Sequence, residues 1–281
     1  MENKNLTCCT TECKKPLDKT YWNKQWENQQ TGWDIGFPSP AITAYVDQIA
    51  DKTASILIPG CGSAYEAAYL VEQGFSDITL IDIAPVAVQK LQEKFKDHAA
   101  ITILCGDFFE HTGQYDYIIE QTFFCALPPT MRPKYVWKMH QLLKPTGRLV
   151  GLLFNRHFEQ NPPFGGSKEE YENLFFGSFS WDQLETSSLS IQPRSGSELF
   201  INFQKNEKHL VELYAFTGLT CTNCVEKVTS LLKAIPTVLQ VVFSTNFSEL
   251  IIVSSAPIDI KVLEQAIAYD EMYRIQKFVP R

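Results

Sequence analysis

The chain has 281 residues, with 25 Lys and Arg against 32 Asp and Glu, a formal net charge of −7. That length accommodates one large domain, or one medium and one small. The acid excess argues against nucleic acid as a partner, because phosphate binding needs a basic face. No apolar run of signal-peptide type stands at the start and no stretch approaches a membrane span, so a soluble, cytoplasmic chain with no membrane partner is expected.

Charge and cysteine are both unevenly spread. From Lys205 onward eight basic side chains balance eight acidic ones, so the whole deficit lies earlier. Of eight cysteines, Cys8, Cys9 and Cys13 stand near the start, Cys221 and Cys224 near the end, and three singly between. In an intracellular chain of this size such spacing points to metal or thiol chemistry rather than a disulfide framework.

In chain order, residues 1–19 are polar and aperiodic and read as a flexible arm. An aromatic segment follows, YWNKQWENQQTGWDIGFPSP, ended by Pro38 and Pro40, and ITAYVDQIA then reads as a short helix. Strand and helix patterns alternate after it: strand 55–58, helix 64–73, strand 78–81, helix 85–95 with Pro85 at a favourable early position, strand 101–105, strand 115–120, helix 132–143 and strand 148–154 after the turn KPTG. This alternation predicts a parallel sheet covered by helices on both faces. Residues 155–177, rich in Pro and Gly, read as a long functional loop or lid, and QPRSGSELFINFQK as a late strand with its connector.

From Glu207 a second pattern begins: strand HLVELYAF, loop TGLTCTNC, helix VEKVTSLLKAI, strands VLQVVFS and ELIIVSS, helix IKVLEQAIA and strand MYRIQKFV. That is a βαββαβ order of ferredoxin-like type. The expected organisation is therefore an arm (1–19), an α/β Rossmann-like domain with a mostly parallel sheet (20–204) and a small ferredoxin-like domain (205–281), each half long enough to bury a core.

The chemistry of the first domain starts at Gly60-Cys61-Gly62-Ser63, between a buried strand and a helix. Asp82 closes the next apolar run about 20 residues on, where a ribose hydroxyl is met in nucleotide-binding folds. Asp107 and Phe108 follow the third strand, where a carboxylate and a ring suit an adenine. The fourth strand ends in Glu120-Gln121 and Phe123-Phe124, at the edge where open α/β sheets bind ligands. The turn lacks the third glycine of the dinucleotide fingerprint, which favours a cofactor without phosphates, S-adenosylmethionine.

The segments YWNKQW, TGWDIG, LIPGCGSAYEA, LIDIAP, CGDFF, QTFFCALPP, MRPKY, LLKPTGRLVGLLF and NPPF together resemble the thiopurine/thiol/halide S-methyltransferase family, over about residues 21–182. The resemblance implies that Trp22, Trp26 and Trp33 fold over the cofactor, and that Gly60, Asp82, Asp107 and Phe108 contact it. Gln121, also expected to bind the cofactor, stands where family members carry Tyr or Arg, which bears on the acceptor. A sulfonium is favoured against aromatic faces by ~0.5–2 kcal/mol, and a closed lid excludes water.

Methyl transfer to a thiolate, halide, thiocyanate, or a selenium or tellurium species needs positioning and desolvation more than a strong base. No Ser-His-Asp set or carboxylate pair is evident, in keeping with such an acceptor, and no catalytic residue is assigned. Arg156 and His157 stand where an anion could be steered, or simply cap a strand end. Cys61 and Cys125 read as buried packing residues.

In the second domain Cys221 and Cys224 sit two residues apart before a helix, where the dipole favours thiolate. Two thiolates suit a soft ion such as Cu(I), or a shared Zn(II); the same spacing serves thioredoxin-like redox sites. The strand order with the motif in the first loop resembles the heavy-metal-associated domain of copper chaperones, over about residues 208–279, with Leu219 where Met is usual. TCCTTEC in the arm offers further thiols.

Together these features point to an S-adenosylmethionine-dependent methyltransferase acting on a small-molecule soft nucleophile and carrying a soft-metal domain, an arrangement suited to detoxification. The same residues also fit a metal-binding or metal-sensing protein whose methyltransferase fold has lost catalysis, or a redox protein using Cys221 and Cys224.

Overall fold

A computed structural model describes residues 16–279. Its elements in order are α1 (Lys19–Glu27), α2 (Pro40–Val46), β1 (Ser55–Pro59), α3 (Tyr65–Glu72), β2 (Asp77–Asp82), α4 (Pro85–Lys94), β3 (Ile101–Cys105), β4 (Tyr115–Gln121), α5 (Arg132–Leu142), β5 (Leu143–Phe154), α6 (Lys168–Phe175), β6 (Phe179–Thr186), β7 (Glu198–Lys205), β8 (Leu210–Thr217), α7 (Thr222–Lys233), β9 (Val238–Phe243), β10 (Glu249–Ser254), α8 (Ile260–Ile267) and β11 (Arg274–Lys277).

β1 is buried at every position, as a central parallel strand covered on both faces must be. Seven strands form one sheet in the order β3-β2-β1-β4-β5-β7-β6. β3, β2, β1, β4 and β5 are parallel, while β7 enters antiparallel between β5 and β6. The strand order reverses between β1 and β4, so their carboxyl ends open a crevice at the switch point.

Three parts of this sheet differ from the sequence expectation. Segment 155–177 is not loop throughout: it contains α6, capped by Ser167 Oγ accepting from Glu170 N at 3.2 Å. β6 is an edge strand with mostly exposed side chains, so it lacks the alternation that would reveal it. β5 begins at Leu143, five residues before the expected start, because Leu143 pairs with Tyr115 and the KPTG turn is absorbed as an irregularity with Thr146 at φ +61°.

The second unit has an antiparallel sheet in the order β11-β8-β10-β9. Side chains alternate cleanly along β8: Tyr214 and Phe216 pack with Val228 and Leu263 under α7 and α8, while Val211 and Leu213 join Trp137, Ile251 and Val253 in the core of the first unit. Both faces of the small sheet are thus covered, one by its own helices and the other by α5. This explains why α5 is buried nearly all round, Lys138 and His140 included.

His140 lies at this junction, with Nε2 3.3 Å from the Asn206 carbonyl, and burial drives its pKa down to about 4. The unfolded chain therefore binds more protons from about pH 6.5 down to 4, and stability contributed by neutral His140 falls as pH falls through that window. His140→Gln should abolish this share: between pH 7 and pH 5 the wild type should lose about 2 kcal/mol more stability than the variant in denaturant titrations.

Candidate functional site

A cavity of about 730 Å³ opens at the carboxyl ends of β1, β2 and β4, well within the ~300–1,000 Å³ typical of small-ligand sites. The β1–α3 turn forms its floor. Gly60, Gly62 and Ala64 all take the left-handed conformation, with φ +54°, +51° and +46°. A methyl group on Gly60 would sit 2.3 Å from Phe123 Cδ2, so glycine is needed there for both conformation and space. Gly60→Ala should therefore displace Phe123 and weaken ligand binding about tenfold or more, as calorimetry would show; unchanged affinity would refute this contact.

Asp82 is 8% exposed and holds the turn from beside it. Its Oδ2 accepts from Gly62 N at 3.0 Å and its Oδ1 from Ala84 N at 2.8 Å. Burial raises its pKa, opposed by these backbone N–H groups. The Cys61 and Ala64 N–H groups are donated to the carbonyls of Ile81 and Cys61. Three of the turn's N–H groups, those of Cys61, Gly62 and Ala64, are therefore already used, one of them by a carboxylate, and the turn fits a ligand whose ribose carries no phosphate.

α1 and the loop after it roof the cavity. Trp26 is 7% exposed and packs with Ala84 and Ala87; Trp33 meets Trp22 and Trp26 edge-on at centroid distances of 5.5 and 6.2 Å. The roof is fastened at three places. Asp34 Oδ2 accepts from Ser63 Oγ at 2.5 Å, Asn23 Oδ1 from Val86 N at 2.9 Å, and the Trp33 carbonyl from Arg194 Nη2 at 3.0 Å.

Of the residues expected at the site, Trp22, Trp26, Trp33, Gly60, Asp82, Asp107 and Phe108 all line this cavity. Gln121 does not. It is still within β4, paired with Leu152, and its buried Oε1 has no hydrogen-bond partner among the described residues. The chain turns toward the cavity only at Thr122, φ +60°, so Thr122 and Phe123 take the lining positions instead. Asp107 Oδ1 accepts from Phe109 N at 2.8 Å, which fixes the carboxyl at the cavity wall.

The far end of the cavity is built from Phe123, Phe154, Phe158, Pro162 and Pro163, with Arg156 and Arg194 as its cations. Arg156 lies 4.7 Å over the Phe158 ring, whereas His157 is not in the lining. Arg194 was not anticipated. Its Nη1 meets the buried Glu198 carboxylate at 3.3 Å while its Nη2 reaches the roof, 161 residues away in sequence, so no local pattern could reveal it. Cys125 also lines the cavity; burial pushes its thiol up, and Sγ donates to the Thr122 carbonyl at 3.3 Å. Cys61 is likewise pushed up by burial, and neither thiol is poised as a nucleophile.

In the second unit the structure brings Cys221 and Cys224 together at the start of α7, Cα atoms 5.4 Å apart, bonded to each other through their sulfurs. Among the described residues no cluster of three or more His, Cys, Asp or Glu side chains could hold a metal ion, so any metal there would rest on the two thiols after reduction. Cys8, Cys9 and Cys13 lie outside the described residues. No described helix is long and apolar enough to cross a membrane.

Comparison with known proteins adds to this geometry. Residues 17–211 match the model of the thiopurine S-methyltransferase family, and residues 214–269 that of the heavy-metal-associated domain. The chain is 32% identical over 192 residues to "Probable thiol methyltransferase 2" of Arabidopsis thaliana, covering 66% of this chain and 84% of that protein. It is 29% identical over 191 residues to "Thiocyanate methyltransferase 1" of Brassica oleracea, with 66% and 84% covered. It is 25% identical over 183 residues to the thiopurine S-methyltransferase of Acinetobacter baylyi, with 57% and 84% covered. Among solved structures, the Burkholderia thailandensis 1,6-didemethyltoxoflavin-N1-methyltransferase, with S-adenosylhomocysteine bound, superposes with a TM-score of 0.56 at 16% identity, over 67% of this chain and 87% of that one. At that identity the likeness bears on fold alone.

Proposed function

Because the chain belongs to the thiopurine S-methyltransferase family and is an S-adenosylmethionine-dependent methyltransferase, we propose that the cavity holds this cofactor against Asp82 and Asp107 and methylates a small, soft nucleophile: a thiol, thiocyanate, a halide, or a selenium or tellurium species. The observation that carries this is the Asp82 carboxylate, which fills the anion position of the glycine turn beneath a tryptophan roof.

When bound, the sulfonium supplies an electrophilic methyl group. The protein's part is binding, orientation and exclusion of water. Asp82 offers its remaining lone pairs to ribose hydroxyls, and Asp107 and Phe108 are placed for a purine amino group and face. Trp22, Trp26 and Trp33 close over the ligand and suit its positive charge. At the far end Arg156 and Arg194 attract an anionic acceptor into a pocket of phenylalanine and proline, which strips its water. The described lining contains no histidine and no glutamate, its aspartates Asp18, Asp82 and Asp107 are engaged with backbone N–H groups, and Cys125 stays protonated, which supports an acceptor that arrives nucleophilic. The names of the plant relatives, thiol and thiocyanate methyltransferases, support a soft acceptor of this kind.

Reduced Cys221 and Cys224 would hold a soft monovalent ion such as Cu(I), and joining this to methylation suits detoxification. The test is S-adenosylhomocysteine release with hydrosulfide, small thiols, a thiopurine, thiocyanate, iodide and reduced selenium and tellurium species, with and without Cu(I). Turnover with at least one of these is expected. Cofactor binding without turnover on any of them would instead support a metal-binding or metal-sensing protein on an inactive methyltransferase fold.

A further inference from the structure

Glu120, near the carboxyl end of β4, does not line the cavity and is 0% exposed, yet it holds the strip of chain that does. Its Oε1 accepts from Phe123 N at 2.8 Å and Phe124 N at 3.0 Å, and its Oε2 accepts from Tyr135 Oη at 2.7 Å. Phe123 is the residue pressed against Gly60, and its ring lies 5.0 Å from that of Phe108. The strip continues into Cys125, whose carbonyl accepts from Phe164 N at 2.6 Å and so ties in the Pro162-Pro163 wall. Behind Glu120 there is no slack: a methyl group on Gly151 of β5 would sit 2.0 Å from the Glu120 carbonyl oxygen.

A leucine or methionine would fill this space, but it could not accept two backbone N–H groups at one point. A carboxylate can, at the cost of burying a charge. The titratable groups facing it are Tyr135 from α5, Cys125 from the strip and Tyr171 from α6. Arg132 of α5 is paired with Glu170 and stacked 4.9 Å from the Phe124 ring, and no ion pair is formed to Glu120 among the described residues. The charge is held by hydrogen bonds alone. Burial, offset in part by the Phe124 N–H, the Tyr135 hydroxyl and the Phe123 N–H, raises this carboxyl to about 7.

We propose that Glu120 is a positioning residue whose charge sets the pose of residues 122–124 over the cofactor, so that gaining a proton loosens the roofed cavity. An added proton on Oε2 faces only the Tyr135 oxygen and forces that hydroxyl to give up its donation; one on Oε1 displaces a backbone N–H. The neutral form therefore either reverses the Tyr135 hydrogen bond, leaving that hydroxyl's proton without an acceptor and Oε1 a weaker neutral acceptor, or gives up a backbone N–H. Above the carboxyl's pKa the strip is held by charge-assisted hydrogen bonds, and below it the strip is held more weakly. The proposal rests on the cavity being the cofactor site.

The test is calorimetric titration of S-adenosylhomocysteine into the full chain between pH 6 and pH 8, for wild type, Glu120→Gln and Tyr135→Phe. The wild type should bind about three- to tenfold more weakly at pH 6 than at pH 8, a modest change for one reorganised hydrogen bond. Glu120→Gln, which keeps an oxygen for the two N–H groups but does not titrate, should bind weakly at both and show no slope. Tyr135→Phe removes a donor that favours the charged form, so its midpoint should move to higher pH. A second readout needs no cofactor: hydrogen exchange of residues 121–125, corrected for intrinsic rates, should lose protection toward pH 6 in wild type, at higher pH in Tyr135→Phe, and show no such dependence in Glu120→Gln. A pH-independent wild type, or a wild-type slope and midpoint retained in both variants, would overturn the proposal. Absent binding with the exchange slope intact would overturn the cofactor assignment and leave the role of Glu120 standing.

Discussion

Replacing Asp82 by alanine is expected to weaken cofactor binding by about a hundredfold or more while leaving the chain folded. Two separate losses combine. The proposed bonds from ribose hydroxyls to the carboxylate are removed, and hydrogen bonds to a charged group are each worth about 1.5–3 kcal/mol. The Gly62 and Ala84 N–H groups also lose their acceptor, so a turn with three left-handed positions in five residues loses the group that holds it. Global stability should change less than binding, because the same substitution removes a carboxylate that burial makes costly. Asp82→Asn keeps one acceptor oxygen and should lose about tenfold. Calorimetric titration beside thermal denaturation separates the two effects; an Ala variant that binds like wild type would remove Asp82 from the site.

The second large effect is expected at Trp26. Its ring is nearly buried, packed on Ala84 and Ala87 with Lys90 Nζ 5.1 Å from its centre, and it carries Trp33 against the turn. Trp→Ala in a packed site costs about 3–5 kcal/mol. Here the cost should fall on closing the roof rather than on unfolding the sheet, because Trp26 belongs to a small cluster with Ala84 and Ala87 that is separate from the cores on the two faces of the sheet. Affinity for S-adenosylhomocysteine should drop about a hundredfold with only a few degrees lost in melting temperature, and Trp26→Phe should recover most of it. A collapse of melting temperature with affinity retained would make Trp26 a core residue and not part of a lid.

Much of the site was legible because it depends on short-range patterns. Apolar runs of five or six residues, each followed by a small or acidic residue, locate the carboxyl ends of β1, β2 and β3, and these carry Gly60, Asp82 and Asp107. Gln121 stands one residue before the cavity lining. A strand's side chains alternate, so ending β4 at Glu120 instead of Gln121 assigns the wrong residue to the cavity. Arg194 was invisible for a different reason: its partners, Glu198 and the Trp33 carbonyl, meet it only through the antiparallel strand β7 and the folded roof. Glu120 was noticed only as part of a strand end. That it is fully buried and anchors the next turn follows from β5 packing against it at Gly151, which no periodicity encodes.

The junction between the two units also departs from what each half suggested alone. Either half has enough apolar residues for a core, yet Val211, Leu213, Ile251 and Val253 are buried on α5 rather than left open on a free sheet face. A sign of this lay in ELIIVSS, apolar on both alternating faces, which is the pattern of a strand covered from both sides. The Cys221–Cys224 loop therefore belongs to a unit packed firmly on the methyltransferase, and metal loading and methyl transfer can be measured on one chain without separating its parts.

Whether Asp82 holds a phosphate-free sulfonium cofactor under the tryptophan roof is decided by calorimetric titration of the full chain with S-adenosylmethionine, with NADH titrated in parallel. Saturable binding of one S-adenosylmethionine per chain, competed by S-adenosylhomocysteine and strongly weakened in Asp82→Ala, is the expected result. Failure to bind it, or equal affinity for the dinucleotide, would contradict the account.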